Sequence, residues 1–166
     1  MLDKNLLLVD IGGTNIRYAY SNIGDSDFVS ENKAELDSLN DFDNLMSVLL
    51  AEADVKNIVF SVAGPKVNNS IKMTNRNFEI DADEIRKKFN LESCYLLNDW
   101  ESIGYSIRTF SENDFDNFKE GEPFNDTFLV IGPGTGLGAS VISGNNVIAT
   151  ETVSYTHLTL PTRKLV

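Results

Sequence analysis

Short apolar runs alternate with stretches of helical spacing along most of this chain. Leu6-Leu7-Leu8-Val9 predicts a buried strand that runs into Asp10-Ile11-Gly12-Gly13-Thr14-Asn15. Ile16-Arg17-Tyr18-Ala19-Tyr20 alternates and is rich in β-formers, so it reads as the return arm of a hairpin. A third, polar strand is expected from Phe28 to Ala34. Between Asp41 and Ala53, the residues Phe42, Leu45, Met46, Leu49 and Leu50 recur at helical spacing. Ile58 to Val62 is the next strand and ends at Ala63-Gly64-Pro65. Asp81-x-x-Glu84 has the form of a capping box, with Ile80 and Ile85 placed as a hydrophobic staple, and predicts a helix to about Phe89. Tyr95-Leu96-Leu97 is a further strand, and Asn98-Asp99 opens a helix expected to carry Trp100, Ile103 and Ile107 on one face. After a polar connection from Ser111 to Asp126, Phe128 to Ile131 predicts a strand. A glycine-dense turn and a hairpin-like segment from Ala139 to Ala149 follow.

The order βββαβαβα, opened by a glycine hairpin, predicts an α/β fold with a mixed sheet flanked by helices. It does not match a purely parallel dinucleotide-binding wind. There are no internal repeats and no low-complexity tract.

Composition narrows the class. The chain has 166 residues, 42% of them hydrophobic and 10% aromatic, which is too apolar for a disordered tail. A single cysteine, Cys94, excludes an internal disulfide scaffold. The net charge of −11 argues against a nucleic-acid partner, which needs clustered Lys and Arg. No apolar run approaches a membrane span and the N-terminus lacks a signal peptide's apolar stretch, so a cytoplasmic location is expected.

The last residues change that arithmetic. Val153 to Val166 reads VSYTHLTLPTRKLV and holds the only histidine, His157. Its first ten residues resemble a translated sequencing-library adapter, spelled codon by codon as GTC TCT TAT ACA CAT CTG ACG CTG CCG ACG. Thr152 then reads as junctional, and residues 153–166 are expected to be a non-native tail, to be set aside in fold reasoning. An ordinary β-rich terminal strand is the plainer alternative. Without Arg163 and Lys164, the basic residues fall from 14 to 12 against 25 acidic ones, a net of −13. A gene fragment is expected.

Three segments carry chemistry, and each has a plainer reading. In Asp10-Ile11-Gly12-Gly13-Thr14-Asn15, two glycines let backbone amides approach a phosphate, while Thr14 and Asn15 add donors. Asp10 could hold Mg2+ through water, since magnesium favours one or two carboxylates plus phosphate oxygens. A simple Gly-Gly hairpin turn would read the same way. In Leu97-Asn98-Asp99-Trp100, a carboxylate stands where a strand ends and a helix begins. A helix N-terminus favours its ionised form, so Asp99 could accept a proton from a hydroxyl. Either residue could equally be a plain N-cap. In Gly132-Pro133-Gly134-Thr135-Gly136-Leu137-Gly138, the glycines superficially fit a dinucleotide fingerprint, but the β-branched segment that follows excludes the required helix. A second phosphate-gripping hairpin or a structural glycine turn remains.

Taken together, two glycine hairpins with a carboxylate between them resemble the ribonuclease-H-like/actin-like ATPase fold shared by hexokinases. The chain is further identified as a member of the bacterial glucokinase family. The residues that carry this are Asp10-Ile11-Gly12-Gly13-Thr14-Asn15-x-Arg17, Ala63-Gly64-Pro65, Met73-Thr74-Asn75, Leu97-Asn98-Asp99-Trp100 and Gly134-Thr135-Gly136-Leu137-Gly138. No single motif is specific, but the combination is. It runs to about Glu151 and covers about half of a family chain.

The resemblance implies ATP-dependent phosphorylation of glucose at its 6-hydroxyl, with Mg2+, at the first step of glycolysis. It implies that Val9 to Thr14, with Asn15, form the ATP-phosphate loop, and that Thr135 and Gly136 make a second phosphate contact. It gives Asp99 as the general base, Asn98 as a hydrogen-bonding partner of the sugar, and Asn75 as a residue of the sugar-side loop. Glu151 aligns with the first residue of a Glu-Gly-Gly-His sugar clamp, but Thr152, Val153 and Ser154 replace the rest. Phe78 stands where a Trp commonly follows Met-Thr-Asn. The implied layout is a small α/β domain over 1–110 and the truncated start of a second α/β domain over 111–152. A fragment so cut is expected to be inactive, and the full-length parent is expected to be a homodimer with no nucleic-acid or membrane partner. A ROK-type sugar kinase and a non-catalytic nucleotide- or sugar-binding module are the alternatives.

Overall fold

The computed structural model describes residues 2–12, 15–35, 39–73, 79–119, 121–122, 125–133 and 137–152, with the side chains of 39, 40, 151 and 152 excepted. The chain divides into two compact units between Asp99 and Trp100.

The first unit is built on a five-stranded mixed sheet. Its strands are β1 (Leu6–Ile11), β2 (Asn15–Ser21), β3 (Val29–Glu35), β4 (Asn57–Val62) and, later in the chain, Ser93–Asn98. β1, β2 and β3 form an antiparallel meander, and β3 is a largely exposed edge, as its polar sequence predicts. Helix α1 (Leu39–Glu52) connects β3 to β4 and buries Phe42, Met46 and Leu49, three of the five residues read at helical spacing. Leu45 and Leu50 pack at the margin of the same core.

Between β4 and the last strand lies a small antiparallel sheet that the hydrophobic pattern does not show. It consists of β5 (Lys66–Val67), β6 (Ser70–Lys72) and β7 (Glu79–Asp81). Asn68, at φ 57°, takes the left-handed conformation that a two-residue turn between β5 and β6 demands. Helix α2 (Ala82–Lys88) follows at once. Its N-cap is Asp81, whose carboxylate accepts from the amides of Asp83 at 2.8 Å and Glu84 at 2.9 Å. Ile80 and Ile85 both enter the core, as a staple requires. Asp83 and Glu84 in its first turn and Arg86, Lys87 and Lys88 in its last complement the helix dipole.

The chain then enters β8 (Ser93–Asn98), which lies parallel to β4, as β4 lies parallel to β1. Three rows of buried residues cross these strands in register. They are Leu7–Ile58–Cys94, Val9–Phe60–Leu96 and Ile11–Val62–Asn98. Two rows are apolar throughout except for a cysteine. The third ends in an amide.

Helix α3 (Asp99–Ser106) begins at the next residue. In the second unit, β9 (Thr127–Pro133), β10 (Leu137–Ser143) and β11 (Asn146–Thr152) form an antiparallel sheet. The sequence places Trp100, Ile103 and Ile107 on one face. Ile103 is instead 37% exposed, while Gly104 is buried. A Cβ at Gly104 would strike Ser140 and Val147, so the helix approaches the sheet along a glycine rather than an isoleucine.

Candidate functional site at the carboxyl edge of the parallel strands

The row Ile11–Val62–Asn98 is the last before three parallel strands end together. The next residues are Gly12, Ala63 and Asp99. The open edge beyond the carboxyl ends of parallel strands is where α/β folds bind ligands. Three sequence motifs separated by dozens of residues therefore reach one edge.

Each strand end is fixed by its own backbone. The Gly12 N–H donates to the Asn15 carbonyl at 3.0 Å, joining the end of β1 to the start of β2. The Ala63 N–H donates to the Ile11 carbonyl at 3.4 Å, tying the second loop to the first. Asn98 is buried and donates its Nδ2 to the Gly64 carbonyl at 2.9 Å, which ties the third strand end to the second. Gly64 is a position only glycine fits. Its φ is 144°, and a Cβ there would lie 2.9 Å from the Lys72 carbonyl oxygen and 3.1 Å from Ile71 Cγ2.

Asp99 is half-buried at the first position of α3, where the helix dipole favours negative charge. Asp10 is half-buried near the end of β1, opposite Arg17 on β2 and Ser61 on β4. Among the described residues no group of three or more His, Cys, Asp or Glu side chains could hold a metal ion by itself. A lone carboxylate at a strand end does suit Mg2+, whose remaining positions nucleotide oxygens and water can fill. Val9 and Ile11, which the sequence also groups with this loop, are buried in the core.

The second unit carries the other glycine segment. Gly132 and Gly138 face each other in the β9–β10 ladder, and the Trp100 indole fills the space a Cβ would need at either one. Two of the four glycines in that segment are thus required by packing. Density of glycine alone could not separate them from the turn residues. Glu151 pairs with Gly138 through the β10–β11 ladder. Gly13, Thr14, Asn75, Thr135, Gly136 and the Glu151 side chain lie outside the described residues.

A family model for glucokinase matches residues 7–163. The chain belongs to the glucokinase family. The matched span extends past Thr152 into the stretch that resembles an adapter. The chain is 31% identical over 150 residues to glucokinase of Nostoc punctiforme, covering 85% of this chain and 44% of that protein. It is 33% identical over 150 residues to glucokinase of Colwellia psychrerythraea, covering 84% and 44%. It therefore spans less than half the length of these relatives.

Among solved structures, a glucokinase from an Antarctic psychrotroph superposes with a TM-score of 0.71 at 23% identity, covering 92% of this chain and 50% of that one. A ROK family glucokinase from Streptomyces griseus, solved with glucose and AMPPNP, gives 0.63 at 20% identity, covering 86% and 46%. These likenesses fix the fold as that of the actin-like sugar kinases. Among the described residues, no helix is long and apolar enough to cross a membrane.

Proposed function

We propose that this chain is the amino-terminal part of an ATP-dependent glucokinase that forms glucose 6-phosphate, the first step of glycolysis, in the cytoplasm. The observation that carries the reading is the shared edge. The glycine hairpin, the Ala63-Gly64-Pro65 loop and the Asn98-Asp99 pair all stand at the ends of strands in register. The reading is also supported by family membership over residues 7–163.

In this reading Asp99 accepts the proton of the sugar's 6-hydroxyl as that oxygen attacks the γ-phosphorus of ATP. The bond from the γ-phosphorus to the bridging oxygen breaks, and ADP leaves. Asn98, held by Gly64, hydrogen-bonds a sugar hydroxyl, with Asn75 and Glu151 supplying further sugar contacts. Amides of the 9–15 segment and the Thr135-Gly136 turn offset charge on the phosphates, since positioning and electrostatics carry most of such catalysis. Asp10 would hold Mg2+ through water, and the ion would supply positive charge against the phosphates.

The clamp motif stops at Glu151, and the chain covers 44% of its relatives. The 166-residue chain is therefore expected to be inactive by itself, and phosphoryl transfer to need the longer parent, acting as a homodimer. A coupled hexose-phosphorylation assay on both proteins tests this. Turnover by the parent with a 6-phosphate product in phosphorus NMR supports the reading. A parent that binds ATP and sugar without turnover would replace it with the non-catalytic module.

A further inference from the structure

We infer that Gly64 is a positioning residue for the sugar, its carbonyl orienting the Asn98 amide and strand β6 fixing that carbonyl. The inference rests on the reading of Asn98 as a sugar contact. A side-chain amide has a donating end and an accepting end, whereas a backbone carbonyl only accepts. The 2.9 Å bond to the Gly64 carbonyl therefore decides which way round the buried Asn98 amide sits. Turned over, its Oδ1 would meet the carbonyl oxygen with no proton between them. A sugar hydroxyl that reaches Asn98 thus meets a group whose orientation Gly64 has set.

Packing sets the place of that carbonyl. At φ 144° Gly64 has a backbone conformation that residues with a side chain rarely adopt. The space its Cβ would need is closed by the Lys72 carbonyl oxygen at 2.9 Å and the Ile71 Cγ2 methyl at 3.1 Å. Both neighbours belong to β6. Ile71 is fully buried and pairs across the ladder with Ile80 of β7, which is buried too. The turn before β6 is tied to the start of α2, where the Ala82 N–H donates to the Asn69 carbonyl at 3.0 Å. The small sheet β5–β6–β7 is thereby braced against a helix, and it acts on the sugar through one glycine carbonyl.

The test uses the full-length parent, titrated by calorimetry with glucose and, separately, with AMPPNP. Gly64→Ala should weaken glucose binding roughly ten- to a hundredfold, the scale of a small misplacement of binding groups, with AMPPNP affinity unchanged. Two variants of Ile71 separate positioning from bulk. Ile71→Val loses volume but keeps the Cγ2 methyl that abuts Gly64. Ile71→Leu keeps the volume but has no methyl on Cβ. Positioning predicts weakened glucose binding in Ile71→Leu and near-native binding in Ile71→Val. A purely structural role predicts no such order, because the loss of core volume in Ile71→Val costs at least as much stability as the swap to leucine. Full glucose affinity in both Gly64→Ala and Ile71→Leu, or an equal loss in the two Ile71 variants, overturns the inference and leaves the sugar-kinase reading standing. If Gly64→Ala fails to fold, the Ile71 pair decides. A wild-type parent that does not bind glucose overturns both.

Discussion

Asn98 donates its side-chain amide to the carbonyl of Gly64 across 2.9 Å, at the one position where a buried row of the central sheet ends in a polar group. The bond joins the ends of β4 and β8. Asn98→Ala would leave the buried Gly64 carbonyl without this donor. A cost of about 1–3 kcal/mol is expected, read as a lower midpoint in urea unfolding. Asn98→Asp should cost at least as much, because an ionised carboxylate cannot donate. Unchanged midpoints in both would show that the bond does not hold the edge together.

Much of this was legible in the sequence. Strand and helix positions in the first unit follow from Leu6 to Val9, the Phe42-Met46-Leu49 spacing and the Asp81 cap, because each signal is local. The sheet β5–β6–β7 was not legible, since strands of two and three residues are too short to show a period. The Asn98–Gly64 bond joins residues 34 apart, and no spacing rule announces such a partner. Trp100 was legible as a helix residue, but its seat on Gly132 and Gly138 depends on a register that only the folded sheet supplies. Ile103 misleads for the same reason: its spacing fits, yet Gly104 gives the closer approach.

Gly138→Ala or Gly132→Ala should destabilise the second unit by about 1–3 kcal/mol, the usual cost of forcing extra volume into a packed site. In a Trp100→Ala background most of that penalty should vanish, because the clash is with the indole. A double-mutant cycle by chemical denaturation measures the coupling. Additive effects would mean that the glycines serve the backbone and not the ring.

Ser140 is fully buried, and its hydroxyl has no hydrogen-bond partner among the described residues. Ser140→Ala removes an unpaid desolvation cost, so stability should stay level or rise by up to about 1 kcal/mol. A clear loss in thermal or urea unfolding would reveal a partner for that hydroxyl.

Cys94 is 6% exposed, and burial, reinforced by the Asp83 charge, pushes its thiol up to about 12 from 9.0. Burial, together with donation of its hydroxyl toward Glu52 at 3.0 Å, likewise raises Tyr20. Both groups are protonated in folded and unfolded chains at neutral pH, so neither affects stability there. Above about pH 9 the unfolded chain releases protons that the folded chain keeps, so unfolding free energy should fall as pH rises toward 12. Unfolding measured across that window should show the decline, and the native thiol should resist alkylation at pH 8 while the unfolded one reacts. Rapid native alkylation would contradict the burial.

The central claim is that Asp99, at the strand edge beside Asn98, is the base of a sugar kinase. The most direct measurement is the turnover of the full-length parent carrying Asp99→Asn, with AMPPNP binding measured on the same preparation. Asparagine keeps the size and the helix-start position but cannot take the hydroxyl proton. Turnover should fall at least about a hundredfold, the ordinary contribution of a general base, while nucleotide affinity stays unchanged. Turnover at the wild-type level in that variant would contradict the account.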